Sequence, residues 1–240
     1  MVVDPVAAYD RLAPYYSHFS KRRVAYLRSI EEQIAARIPA GAKSLLDIGA
    51  GDGSRAVRIA GAAAISRIVL LEPSARMSGQ TPAGCEVWRS RAEDLDASAI
   101  AERFDVITCL WNVLGHVPGF ERRVRALSAA AQLLCRDGLM FVDVIHRYNV
   151  RSYGATMTAV RWLQDRIAPS DSNGDVRARW STANGEITTY GHVFADREMR
   201  RLADAAGLRF AQRIAIDYET GQIRHASWTG NLLYVFRRAS

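Results

Sequence analysis

The stretch LLDIGAGDGS, residues 45–54, drives an apolar run straight into three glycines at alternate positions, Gly49, Gly51 and Gly53. Glycine takes backbone angles that other residues resist, and it lets a ligand approach the main chain closely. A glycine-rich turn between a buried strand and a helix start is therefore a ligand-site feature of α/β sheets. The spacing is G-x-G-x-G followed by Ser54, which departs from the G-x-G-x-x-G of dinucleotide sites. Glu72 ends the next apolar run, 19 positions after Gly53. A carboxylate at a strand end accepts both hydroxyls of a ribose. The pattern points to a nucleoside and not to a pyrophosphate. The alternative is a plain tight turn beside a solvent-exposed Glu72.

The rest of the chain continues the alternation. Asp4-Pro5 reads as an N-cap with proline at the first helical position, and that short helix ends before Pro14. Tyr15 to Ile38 is helical in pattern, with Val24, Leu27, Ile30, Ile34 and Ile38 near one face. SLLDI, RIVLL, CEVW, FDVITCL and LMFVDVI read as strands. Ser54–Ala64, a short segment capped at Ser74, Asp94–Arg103 and Phe120–Leu134 read as the helices between them, and Asp137-Gly138 reads as a tight turn. Strands alternating with helices at this spacing make a parallel sheet with helices on both faces.

Residues 146–194 break the rhythm. A helix near Tyr153–Ile167 and a polar loop, Pro169–Asp175, precede two alternating runs on either side of Ala183-Asn184-Gly185, a hairpin signal. This segment reads as an insertion over the sheet's edge. A helix over Arg197–Ala206 with Gly207 as its cap follows. Then come LRFAQRIAI and NLLYVF, which have no helix between them and read as an antiparallel pair. The expected fold is a doubly wound, mostly parallel seven-stranded α/β sheet with an antiparallel C-terminal strand pair.

Composition narrows the function classes. No apolar run reaches the roughly 18 residues needed to span a bilayer, and MVVDPVAAYD lacks the basic and apolar regions of a secretory signal. Cys85, Cys109 and Cys135 are scattered and odd in number, against a disulfide framework or a CxxC metal site. A cytoplasmic location is expected. The five histidines, His18, His116, His146, His192 and His225, have no ligand spacing, so no metal is expected. The net charge of +7 comes almost entirely from arginines in short scattered pairs, which read as solvated helix faces before they read as a nucleic-acid patch.

LLDIGAGDG, LEPS, RAEDL and FDVITCLWNVLGHV, taken in order, resemble the successive motifs of class I S-adenosylmethionine-dependent methyltransferases, closely over residues 40–145. The resemblance implies a 1–240 unit: an N-terminal helical lid (1–39), a cofactor-binding half (40–145), a cap (146–194) and a C-terminal helix and strand pair (195–240). It places Gly49, Ala50, Gly51 and Gly53 against the amino-acid part of S-adenosylmethionine. It puts Asp47 at the loop or the methionine ammonium and Glu72, followed by Pro73, at the ribose. Ala92 and Glu93 meet the adenine, and Leu110 and Asn112 flank the sulfonium. Arg91 stands where many relatives have Asp.

The acceptor is expected to be a small molecule, methylated on N or O, held between the 9–19 segment and the 146–194 insertion. Tyr9, Tyr15, Tyr16 and Phe19 form a lid wall or else staple the first helix to the sheet. His146, just past the fifth strand, is a candidate base or a loop histidine bonded to backbone. His116 and Asn112 are further catalytic candidates. Tyr190, His192 and Phe194 alternate onto one hairpin face, lining the cap or packing it, and Trp228 and Arg224 are weaker candidates. Two other readings stay open: an RNA (tRNA) methyltransferase, and a cofactor-binding partner protein without activity.

Overall fold

Two apolar periodicities, 2 in the strands and 3.6 in the helices, assemble the layers around one sheet. The computed structural model describes residues 3–239; Met1, Val2 and Ser240, the ends of the expected 1–240 unit, lie outside the described residues. The helices are α1 (Pro5–Leu12), α2 (Tyr16–Lys21), α3 (Val24–Ala35), α4 (Ser54–Ala62), α5 (Ala75–Ser78), α6 (Phe120–Leu133), α7 (Val150–Ile167) and α8 (Asp196–Ala205). The strands are β1 (Ser44–Ile48), β2 (Arg67–Leu71), β3 (Glu86–Trp88), β4 (Phe104–Cys109), β5 (Leu134–Val144), β6 (Asp175–Thr182), β7 (Gly185–His192), β8 (Leu208–Ile216), β9 (Ile223–Arg224) and β10 (Asn231–Arg238).

The main sheet runs β3-β2-β1-β4-β5-β10-β8-β9. β1 to β5 are mutually parallel, and β10 is antiparallel to both β5 and β8. The chain winds outward from β1 in one direction and from β4 in the other. The crevice at the carboxyl ends of β1 and β4 is thus the switch point where such sheets bind ligands. Leu46, Ile48, Ile107 and Met140 pack against α6 and α8 on one face. Leu45, Leu70, Val106 and Phe141 pack against α3 and α4 on the other.

Several local expectations are corrected. The Tyr15–Ile38 helix is broken at Arg22-Arg23 into α2 and α3. The break lets α3 turn Tyr26, Leu27, Ile30 and Ile34 onto the sheet, and Val24 is left exposed. Asp94–Arg103 is no α-helix but two short 3-10 turns, because Asp96 accepts from the backbone and hydroxyl of Ser98 and so competes with helical bonding. Asp137-Gly138 makes no separate turn. It lies within β5, as extra residues between the Leu134–Phe104 and Leu139–Val106 pairs. The hairpin's central residues are Ala183 and Asn184, with Gly185 directly after them at φ +106°. The two-residue β9 adds an eighth strand to the seven expected.

The hairpin β6–β7 does not sit over an outer edge of the sheet. It lies above the carboxyl ends of β4 and β5, where Asn112 donates to the His192 carbonyl and His146 bridges to Phe194. A buried polar rivet fixes it there. Arg123 of α6 is fully buried and donates to the Val117 carbonyl at 3.0 Å, the Tyr190 hydroxyl at 2.5 Å and Glu198 at 3.3 Å. His192 lies between Asp175 at 2.7 Å and Glu198 at 2.9 Å. Breaking a buried ion network leaves its partners uncompensated. Arg123→Met is therefore expected to cost about 3 kcal/mol or more, and Arg58→Met, which removes a half-exposed pair with Glu31, less than about 1 kcal/mol. Urea unfolding of the two variants measures the difference, and equal losses would show that Arg123 is no rivet.

Candidate functional site

β1 feeds Asp47 and Ile48 into a turn whose three glycines all have positive φ: +66° at Gly49, +62° at Gly51 and +72° at Gly53. L side chains rarely adopt these angles. Glu72, at the end of β2, holds the turn. Its buried carboxylate accepts from the Gly51 amide and from the Ser74 amide, both at 2.8 Å. Burial raises its pKa to about 7 against the lowering effect of those two amides. Each oxygen keeps a further lone pair, and Glu72 lines the cleft beside the turn.

That cleft encloses about 750 Å³ including its open mouth. Gly49, Gly51 and Ile48 line it from β1, Leu71 and Pro73 from the end of β2, and Arg91, Ala92 and Glu93 from the loop after β3. Leu110, Trp111 and Val113 line it from the end of β4. Tyr9 of α1 and Tyr16 of α2 contribute the lid. The lid is latched. Arg91 donates to both oxygens of Asp4 at 2.7 and 2.9 Å, and Asp10 accepts from the Ser74 hydroxyl at 2.6 Å. Tyr9 Oη lies 3.0 Å from His116 Nε2, and His116 Nδ1 lies 2.9 Å from the Tyr190 carbonyl. A carbonyl only accepts, so Nδ1 carries the proton and Nε2 accepts from Tyr9. Burial lowers the His116 pKa and raises those of Tyr9 and Tyr16, the latter to about 12.

The residues after β4 are strained. Trp111 and Asn112 have φ of +58° and +60°. Asp143 holds them: its Oδ2 accepts from the Trp111 amide at 2.9 Å, and its backbone carbonyl accepts from the Asn112 amide at 3.1 Å. Tyr26 donates to the other carboxylate oxygen at 2.6 Å. Burial lifts the Asp143 pKa to about 6. Trp111 Nε1 in turn reaches the Tyr218 hydroxyl at 3.3 Å. Tyr218 belongs to a second, polar cleft with Asn149, Arg151, Tyr153, Asp217 and Glu219, about 1020 Å³ with its mouth.

Of the residues singled out from sequence, Gly49, Gly51, Glu72, Pro73, Ala92, Glu93, Leu110, Tyr9, Tyr16 and His116 line one cleft. Others do not. His146 is buried against the Ser227 carbonyl and Tyr148, with its pKa lowered to about 4 by burial, and it is not among the cleft-lining residues. Asn112 turns its amide to the His192 carbonyl and the Ile145 amide as a staple. Asp47 is buried under the turn, accepting from Thr108. Ala50 is buried away from the cleft wall, and a side chain at Gly53 would meet Leu70 and Thr81 instead of the cleft. Tyr15 accepts from Asn184 at the surface, and Tyr190 and His192 belong to the Arg123 rivet. Phe194 packs in the core, Phe19 beside α1, and Trp228 is exposed, with Arg224 paired to Asp217.

Arg55, Trp111, Val113 and Val6 also line the cleft. Trp111 and Val113, in LWNV from Leu110 onward, sat where a sequence signal already pointed. Among the described residues no group of three or more His, Cys, Asp or Glu is arranged to hold a metal ion. No described helix is long and apolar enough to cross a membrane.

Residues 16–212 match the family model described as a methyltransferase domain. A ubiquinone biosynthesis O-methyltransferase from Thiobacillus denitrificans is 25% identical over 190 residues, 77% of this chain and 72% of the relative. Among solved structures, the CcbJ methyltransferase from Streptomyces caelestis superposes with a TM-score of 0.66 at 17% identity, covering 88% of this chain and 90% of that one. The S-adenosylmethionine-bound amino pentose methyltransferase CalS10 from Micromonospora echinaspora gives 0.62 at 17% identity over 94% and 97%. The sugar N-methyltransferase KedS8 from Streptoalloteichus gives 0.61 at 16% identity over 94% and 92%.

The glycines of the turn differ in what they tolerate. A Cβ at Gly49 would lie 2.4 Å from a Val113 methyl, whereas one at Gly51 would meet only the tips of Met77 at 3.1 Å and Tyr16 at 3.4 Å. Gly51→Ala is expected to cost about 1–2 kcal/mol, from its backbone angle. Gly49→Ala adds an overpacking cost of about 1–3 kcal/mol. Equal denaturation midpoints for the two variants would contradict this packing.

Proposed function

The chain belongs to the methyltransferase domain family, and from that premise we propose that it moves a methyl group from S-adenosylmethionine to a nitrogen of a small molecule, with oxygen as the alternative atom. The observation that carries the reading is the pairing of the glycine turn with Glu72, whose two oxygens hold the turn and still have lone pairs to offer. The residues present fit this cofactor. Glu72 suits vicinal ribose hydroxyls, and Ala92 and Glu93 lie where a base would stack against the cleft wall. The apolar side chains of Ile48, Leu71, Leu110 and Val113 suit the rest of the nucleoside. The bound cofactor supplies a methyl group on a sulfonium, so the protein's task is to hold and align.

An acceptor site between the 9–19 segment and the hairpin is not what the packing favours. Ala8 and Leu12 of α1 are buried in one cluster with Ile187 of β7, so that face of α1 is covered by the hairpin. We place the acceptor in the polar cleft beside α7 instead. The Trp111–Tyr218 contact is a wall shared with the first cleft. Nitrogen is favoured over oxygen by the state of the histidines. The Nε2 lone pair of His116 is taken by Tyr9, and His146 is buried elsewhere. An amine attacks with its own lone pair and releases its proton afterwards, so it needs no strong base in the cleft. The ubiquinone relative and the amino-sugar neighbours support a small acceptor.

Three measurements test this reading. Ribose hydroxyls donate to the charged form of Glu72, so the bound pKa lies below the free value of about 7. Affinity then falls as pH drops through about 7. From pH 8 to pH 6 the wild type is expected to lose about tenfold in S-adenosylhomocysteine affinity relative to Glu72→Gln, in which other titrating groups cancel. Matching pH profiles for the two proteins would take Glu72 away from the ribose. Second, labelled cofactor incubated with a metabolite pool, with and without tRNA, is expected to label a small molecule. Arg151→Ala is expected to raise the acceptor KM roughly tenfold without changing cofactor affinity. Label in tRNA and in no small molecule would overturn the assignment.

A further inference from the structure

α7 is built inside out. None of its 18 residues is buried. Its half-buried side, which carries Tyr153, Thr158, Arg161 and Asp165, is polar. Asp165 accepts there from Arg147, Tyr148 and Asn173, and Arg161 donates to the Arg147 carbonyl at 3.1 Å while lying over the Tyr153 ring. The side turned to solvent is apolar. Met157, Val160, Leu163 and Ile167 follow one another at steps of three, three and four, the spacing of one helix face. They are 49–74% exposed, and Trp162 stands beside them at 48%. Of the eight large apolar side chains exposed among the described residues, α7 carries five. All five lie beyond the kink at Gly154, on one continuous stretch of helix. A surface helix ordinarily turns such a stripe to the core, so this one calls for an occupant from outside the chain.

We propose that this face pairs with the same face of a second copy of the chain, α7 against α7, antiparallel about a twofold axis. A twofold interface brings one patch onto itself, so the patch must match its own reverse. The stripe does. With the axis between Val160 and Leu163, Val160 lies opposite the partner's Leu163, and Met157 lies opposite the partner's Ile167. Thr156, Ala159 and Gln164 fill the spaces along the stripe, so the pairing brings no like charges together within it. Arg166, at the margin, lies over the Trp162 ring.

Area decides whether such a contact can hold. Large apolar side chains at half exposure or more leave roughly 500 Å² of apolar surface on α7, at the upper end of the largest patch a monomer shows. Two copies together cover about 1,000 Å², the lower bound for a specific interface. A lipid surface fits the helix less well. A helix lying in a membrane interface is rich in lysine and arginine on its polar face. In α7 that face is spent on the body of the protein: Arg161 is engaged with the Arg147 carbonyl, and Arg151 with Asp217.

Sedimentation velocity of the full chain from about 1 to about 100 µM spans the affinity expected of an interface this small. Wild type is expected to pass from monomer to dimer across that range. Val160→Glu with Leu163→Glu puts two carboxylates per copy into the contact and is expected to weaken dimerisation by at least about a hundredfold. Both side chains are exposed, so the circular dichroism of the double variant is expected to match wild type. A wild type that is monomeric at every concentration overturns the proposal, and so does a dimer that the double variant leaves intact. If the double variant does not fold, a cysteine mixture decides. Chains with Met157→Cys are mixed with chains with Ile167→Cys and oxidised with diamide. The mixed disulfide dimer is expected well above the background that wild type gives through Cys85 and Cys135. Cross-linking no stronger in the mixture than in each variant alone overturns the antiparallel pairing. A monomeric wild type that floats with vesicles of phosphatidylglycerol and phosphatidylcholine assigns the face to lipid and overturns the proposal as well.

Discussion

The site depends on one carboxylate bridging two strand ends. Glu72 leaves β2 and takes the Gly51 amide of the turn after β1 on one oxygen, and the Ser74 amide on the other. A backbone with three positive φ values in five residues has no regular hydrogen-bond ladder of its own. Glu72 supplies the missing acceptor, and Ser74 then caps α5 through Met77. The interaction is costly in isolation, because burial raises the carboxyl pKa to about 7. A purely structural acceptor would be cheaper as a neutral side chain. An acidic group kept at the limit of ionisation, with unused lone pairs beside a cleft, is suited to a ligand that brings hydrogen-bond donors.

The other half of the switch point repeats the device. Asp143 of β5 holds Trp111 and Asn112 in left-handed angles after β4. Each such residue costs of the order of 1–3 kcal/mol and persists only where its surroundings over-determine it. The strain has a geometric result. Trp111 lines the first cleft while touching Tyr218 of the second, and a relaxed strand end would not bring one ring to both. Two buried acidic residues, Glu72 through its carboxylate and Asp143 through its carboxylate and its backbone carbonyl, therefore hold backbone amides on both sides of the crevice between β1 and β4.

The parts legible in the sequence are those where a local signal and its structural result lie in the same short segment. The glycine turn, the strand run ending at Glu72, the Asp4 cap and the Ser74 cap are of this kind. The sheet followed because five apolar runs at βα spacing and a closing pair without a helix between them leave little topological choice. Arg55 was not legible. A charged residue in an alanine-rich helix start reads as solvated, yet in the folded chain it is buried and lines the cleft beside Tyr16 of α2. His146 misled for the opposite reason: its position after β5 is right for a ligand, but Asn231 and the Ser227 carbonyl from the far end of the chain enclose it. Tyr190 and His192 do share a face of the hairpin, and that face packs on Arg123 instead of lining a site.

The lid is held by two seams of unequal strength. Toward the hairpin, α1 buries Ala8 and Leu12 against Ile187, and Val3 extends the contact with backbone bonds to β7. Toward the cleft it is held by the Asp4–Arg91 pair, by Asp10 on Ser74 and by the Tyr9–His116 contact. Asp4 is half exposed, and exposed ion pairs are worth about 0–1 kcal/mol. Burying a leucine is worth about 1.5–3 kcal/mol by itself. The cleft-side seam therefore costs less to break than the hairpin-side seam. This ordering also gives Arg91 a purpose. An acidic residue there would repel Asp4 across the cleft mouth, whereas arginine clasps the lid while leaving Ala92 and Glu93 beside the site.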